Sequence, residues 1–214
     1  MTENKGKVVS INGNLVSVEF DGNVSMNEIC FVKVDDNTML KSEVIRIRGN
    51  VAQIQVYEMT NGIKCGDEVE FTGDMLSAQL GPGLLGQVYD GLQNPLPELA
   101  KQAGWFLERG VYVEALNTEK KWEFTPTAKV GDVLRAGEYI GTVPEGPFTH
   151  KIFVPFYLLG TYTLKSIVEK GEYTVNETVA VLADERGKEV PVAMSFKWPV
   201  KRAVNCYSER LAPT

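Results

Sequence analysis

A chain of 214 residues, 43 % hydrophobic and 23 % charged, is long enough to bury a core without disulfides or metals. Its 22 basic against 28 acidic residues leave a formal charge of −6, which argues against a nucleic-acid partner, because neutralising phosphates requires a basic face. The three scattered cysteines, Cys30, Cys65 and Cys206, show no CxxC spacing and have only His150 to help them. That pattern speaks against a disulfide framework or a Cys/His metal site and suits a reducing cytosol. No apolar run approaches membrane-spanning length, and Met1 to Gly6 lack the apolar stretch of a signal peptide.

Residues 6 to about 73 read as short strands. Apolar and polar residues alternate in Val16-Ser17-Val18-Glu19-Phe20, the period of a half-buried strand. The alternation returns in Ile45-Arg46-Ile47-Arg48 and in Ala52-Gln53-Ile54-Gln55-Val56, joined by Gly49-Asn50, a pair suited to a tight hairpin. Asn12-Gly13, Asp21-Gly22 and Asn61-Gly62 supply further turns. Short strands with turns at close intervals predict a small closed β-barrel over residues 1–73, since closure removes exposed edges.

Residues 74–110 change character and read as a Gly/Pro-rich connector with a short helix. The run from Leu80 to Leu96 carries Gly81-Pro82-Gly83, then Asp90-Gly91, Gln93 and Asn94-Pro95. Glycine opens backbone conformations closed to other residues and proline fixes φ, so such a stretch specifies its path. Asn94 is placed to cap a helix with Pro95 at its first position, running through Leu96-Pro97-Glu98-Leu99-Ala100-Lys101-Gln102-Ala103 and ending near Gly104. Trp105 and Phe106 read as core aromatics.

A strand pattern resumes over residues 111–199. The segment Ala128 to Val143 reads strand, turn, strand, and Ile167 to Leu182 echoes it. Two related halves resemble the barrel-sandwich fold of biotinyl and lipoyl carrier domains. Lys151 lacks the Met-Lys-Met or Asp-Lys-Ala surroundings of a modified lysine, so the fold is expected without its prosthetic group. Residues 200–214 look like a linker, basic at Lys201, Arg202 and Arg210.

Residues with catalytic potential have simpler readings. Gly81 and Gly86 match the glycine spacing of a phosphate-binding P-loop, but Gln87 and Val88 stand where lysine and Ser/Thr belong. His150 has no G-x-S-x-G nucleophile to serve and reads as a surface or half-buried structural histidine. Asp67, Glu68 and Glu70 read as solvated strand and turn residues.

Several motifs, in order, resemble the catalytic A subunit of V-type (vacuolar/archaeal-type) rotary ATPases. Gly6-Lys7-Val8-Val9-Ser10-Ile11-Asn12-Gly13-Asn14-Leu15-Val16 is similar to the family's first barrel hairpin, with Asn14 where proline is common. Val56-Tyr57-Glu58-Met59-Thr60-Asn61-Gly62-Ile63 resembles its V-Y-E-x-T-x-G stretch. Thr72-Gly73, Leu76-Ser77 and Leu80-Gly81-Pro82-Gly83 resemble its T-G…L-S…L-G-P-G run. Arg109-Gly110-Val111 and Trp122-Glu123-Phe124 look like the entry to the inserted bulge domain. Lys197-Trp198-Pro199-Val200-Lys201-Arg202 resembles the K-W-P-V-R-R that closes it, with Lys201 in place of arginine.

The resemblance implies a mainly β, N-terminal portion: a barrel, then a barrel-sandwich bulge domain. In the family, the P-loop, the catalytic glutamate and the metal-binding residues follow the segment where Thr214 falls. No catalytic, cofactor or metal residue is therefore carried over, and ATP and Mg belong to the parent subunit. Gly81, Pro82, Gly83, Asp90, Gly91, Gln93, Pro95, Trp198, Pro199, Lys201 and Arg202 are the structural or interface candidates. The implied partners are B subunits and the peripheral stalk, in a cytoplasmic position peripheral to the membrane, with no nucleic acid and no membrane insertion. The parent would couple ATP synthesis or hydrolysis to proton or sodium transport. A stand-alone barrel adaptor or a carrier-like module is the alternative.

Overall fold

In the computed structural model, residues 4–104 and 108–206 are described. Trp105 and Phe106, read above as core, fall outside them, as does Arg210. The chain forms two compact units, each assembled from more than one stretch.

The first unit is built on alternation. β1 (Asn4–Asn12), β2 (Leu15–Asp21), β3 (Glu28–Lys33), β4 (Met39–Arg48), β5 (Val51–Val56) and β6 (Glu68–Met75) close into a barrel in the order β1-β2-β5-β4-β3-β6. The predicted closed barrel is thus present, and Gly49-Asn50 is the turn between β4 and β5. In β2 the positions Val16, Val18 and Phe20 face inward while Ser17 and Glu19 do not, and β5 buries Ala52, Ile54 and Val56 by the same rule. Val8, Leu40, Val44 and Val69 complete the centre.

Glu28, Ser42 and Glu43 are buried polar side chains among the described residues of this unit, beside Cys30. Glu28 accepts the Ser25 N–H at 2.8 Å on one oxygen and the Gly73 N–H at 2.6 Å on the other. Glu43 is 5 % exposed, and Cys30 is fully buried between these carboxylates. Burial first, then the Glu28 and Glu43 charges, push the Cys30 thiol far above its ordinary range. Cys65 is exposed and should be labelled at once by a disulfide reagent in the native protein, whereas Cys30 should react only after denaturant. Equal native reactivity of the two would contradict this burial.

The helix α1 (Leu96–Ala103) occupies the predicted span and ends at Gly104, but it starts differently. Asn94 does not cap it. The Asn94 Oδ1 accepts the Val113 N–H at 3.0 Å and its Nδ2 donates to Asp90 at 2.8 Å, so the side chain is committed elsewhere. Pro95 bridges to Tyr89 in an antiparallel pair, and Pro97 takes the first-turn place instead. The residues read as one connector also divide: 77–96 belong to the second unit, and the described residues of 97–112 to the first.

The second unit contains two four-stranded sheets. One has the order β11-β10-β8-β13, from β8 (Lys121–Pro126), β10 (Tyr139–Glu145), β11 (Phe148–Phe153) and β13 (Gly171–Thr174). The other has the order β15-β14-β12-β9, from β9 (Val133–Arg135), β12 (Thr161–Ile167), β14 (Thr178–Ala183) and β15 (Glu189–Ala193). Both contribute to one core, with Phe124, Ile140 and Val143 from the first and Leu164, Leu182 and Val192 from the second. β7 (Ser77–Leu80) pairs with β16 (Phe196–Pro199) as a separate two-stranded ribbon.

Candidate functional site

The glycine-rich loop after β7 is held by side chains that the linear pattern did not single out. A Cβ on Gly81 would lie 2.9 Å from the Ser195 Cβ and 3.0 Å from Leu116, so the backbone passes there only as glycine. Pro82 is buried beside it, and Gly83 takes a φ of +108°. That geometry aims the Gly83 N–H at the Glu145 carboxylate, 2.6 Å away, and the Leu85 N–H reaches the same oxygen at 3.3 Å. Glu145 is 6 % exposed and ends β10. Its second oxygen lies 2.7 Å from the His150 Nδ1, across the Gly146-Pro147 turn.

This arrangement decides what the loop can do. A phosphate cradle presents free backbone amides and a cation to an anion. Here two of those amides already serve a buried carboxylate, which places negative charge where a phosphate would need positive. The loop is anchored internally. Among the described residues no group of three His, Cys, Asp or Glu is arranged to hold a metal ion.

The next turn is organised by Asp90 and Gln93. Asp90 Oδ1 accepts the Leu92 and Asn94 N–H groups at 2.9 and 2.8 Å. Gln93 sits at φ +65°, an unusual value for a residue with a side chain, and its amide explains the placement. Its Oε1 accepts the Gln79 N–H at 2.7 Å and its Nε2 donates to the Gln79 carbonyl at 2.8 Å, pairing with β7 as a strand would. Gly91 is exposed with open space where a Cβ would stand, so nothing nearby requires glycine. Pro95 is buried.

The closing motif splits by role. Trp198 is 7 % exposed, meets Phe156 edge-on with centroids 5.7 Å apart, and donates its Nε1–H to the Arg202 carbonyl at 2.9 Å. The Arg202 guanidinium lies 5.6 Å from the same ring. Pro199 to Lys201 belong instead to the barrel unit. The Val200 N–H donates to the Leu76 carbonyl at 2.9 Å, and the Lys201 Nζ reaches Glu43 at 2.5 Å and the Asn27 Oδ1 at 3.2 Å. The other Glu43 oxygen accepts the Tyr57 hydroxyl at 2.9 Å. Burial, then the adjacent Glu43, hold the Tyr57 phenol above its ordinary value, so it stays a donor.

The Val56 to Ile63 stretch receives residues 109–112. Glu58 accepts the Gly110 N–H at 3.0 Å and the Tyr112 hydroxyl, while Arg109 donates to the Met59 and Asn61 carbonyls at 3.0 and 2.5 Å. Lys151 lies within β11 with its ammonium 4.4 Å from the Tyr139 ring centroid, and the hairpin tip is Gly146-Pro147. It is not displayed as a carrier lysine is. Sequence reasoning missed Glu145, Glu43 and Gln79. Glu145 did leave a signal: it follows Val143 by two, on the inward face of an alternating strand.

Residues 8–73 match the family model described as ATP synthase alpha/beta family, beta-barrel domain, and residues 113–201 match the ATPsynthase alpha/beta subunit barrel-sandwich domain. The chain is 65 % identical over its whole length to a protein of Treponema denticola named V-type ATP synthase alpha chain, of which it covers 36 %. It is 55 % identical over 98 % of its length to the protein of that name in Borreliella burgdorferi, again 36 % of the relative. Against V-type ATP synthase alpha chain 1 of Treponema pallidum it is 53 % identical over its whole length, with 36 % of that protein covered. The chain therefore spans about a third of the length of these relatives.

Proposed function

This chain belongs to the ATP synthase alpha/beta family, and we propose that it serves as the non-catalytic N-terminal part of a V-type ATP synthase alpha chain. In that reading the parent couples ATP synthesis or hydrolysis to proton or sodium transport. The barrel and the barrel-sandwich unit serve assembly, with B subunits and peripheral stalk subunits as partners. The parent would work in the cytoplasm at the membrane periphery, and no helix among the described residues is long and apolar enough to cross a membrane. ATP and Mg would be held by residues outside this chain.

One observation carries the non-catalytic assignment. The glycine-rich loop from Gly81 to Gly86 has P-loop spacing but carries Gln87 and Val88 in place of the required lysine and Ser/Thr, and its Gly83 and Leu85 amides are bonded to Glu145.

The test is thermal unfolding of residues 1–214 with and without MgATP. A ligand at a hundred times its Kd stabilises the protein that binds it by about 2.7 kcal/mol, or about 5–10 °C in Tm at this size. The expected result is no shift for this chain and a clear one for the longer alpha chain. An upward shift in the 214-residue chain alone would overturn the assignment.

A further inference from the structure

We propose that residues Pro199 to Lys201 form a detachable strap on the barrel, clasped by the Lys201 ammonium on the Glu43 carboxylate and able to open while the barrel stays folded. The inference goes beyond the functional reading above and does not depend on it.

The strap is held by polar bonds at the barrel. The Val200 N–H donates to the Leu76 carbonyl at 2.9 Å. Val200 is 54 % exposed, so apolar burial contributes little. The remaining hold is polar: the Lys201 Nζ lies 2.5 Å from Glu43 and 3.2 Å from the Asn27 Oδ1.

The two ends of the clasp are unequal, and that makes it reversible. The Lys201 side chain is 48 % exposed, so water can replace its partner when it leaves. Glu43 is buried, and a buried carboxylate stripped of all partners would destabilise its surroundings severely. It is not stripped, because Tyr57 holds its second oxygen at 2.9 Å. The acceptor therefore stays in place with the strap on or off. Asn27, at φ +65°, is fixed independently by its N–H bond to the Val44 carbonyl at 2.8 Å. On either side of the strap, Trp198 and Arg202 are bonded to each other, which keeps the opening local.

Native-state hydrogen exchange in the intact protein tests this. Lys201→Met should speed exchange of the Val200 amide by about tenfold or more, because a charge-assisted bond has been lost. The Val44 and Ile54 amides of the barrel should keep their wild-type rates. Glu43→Gln should accelerate Val200 in the same way, and Lys201→Arg should restore near-wild-type protection. Raising salt from about 0.05 to about 1 M should move wild-type Val200 toward the Lys201→Met rate, since the ammonium is screened. An unchanged Val200 rate in Lys201→Met would overturn the proposal. So would equal acceleration of Val44 and Ile54, which would mean that the lysine holds the barrel together rather than a strap.

Discussion

Phe124→Ala should lower the stability of the barrel-sandwich unit by about 3–5 kcal/mol, the upper range for truncating a buried aromatic. Phe124 is fully buried and meets the Tyr173 ring edge-on at 6.4 Å. The cost of such a cavity depends on whether neighbours can collapse into it. Here one wall is backbone. A Cβ on Gly141 would stand 2.2 Å from the Phe124 Cε2 and 2.9 Å from the Thr125 carbonyl oxygen, so the paired strand lies against the ring with no side chain to move inward. The hole should persist. Chemical denaturation of the variant checks this, with Phe124→Leu, which leaves a smaller cavity, costing less than the alanine variant. A loss below about 1.5 kcal/mol for Phe124→Ala would show that the core closes over the gap.

Glu145→Ala should cost about 3 kcal/mol, because it removes the shared acceptor of two loop amides and the partner of His150 at once. The Gly83 N–H would be the group left without its 2.6 Å partner. Glu145→Gln keeps a carbonyl oxygen in place and should recover about half of the loss, since bonds to a charged acceptor are roughly twice as strong as neutral ones. Exchange of the Gly83 and Leu85 amides should rise in both variants, more in the alanine. If Glu145→Ala leaves those amides protected, the loop is held by Gly81 and Pro82 packing and not by the carboxylate.

The barrel was legible because its information is local. Val16, Val18 and Phe20 announce an inward face within five residues, and Gly49-Asn50 announces its own hairpin. The helix was legible in its span but not in its start. Asn94 has the chemistry of a cap, yet its amide is taken by Val113, nineteen residues later, and a long-range partner outbids a local one without leaving a trace in the pattern. The site was hardest to read. Glu145 bonds residues 60 and 62 positions earlier, and Lys201 bonds one 158 positions earlier. A carboxylate in an alternating strand signals only that something must satisfy it. The glycine run was read as constrained and not as a phosphate cradle, but the carboxylate that holds it, Glu145, was not legible in the run itself.

That long reach bears on how the protein is made. The ribosome releases the chain from its N-terminus, so all six barrel strands are available once Met75 has emerged. At that moment Glu58 lacks Gly110 and Tyr112, and Glu43 lacks Lys201. Tyr57, fourteen residues from Glu43, is the donor that can serve during the wait. The nascent barrel is thus a provisional structure, sealed twice as translation proceeds: first by residues 109–112, and last by three residues made after residues 113–198 of the barrel-sandwich unit.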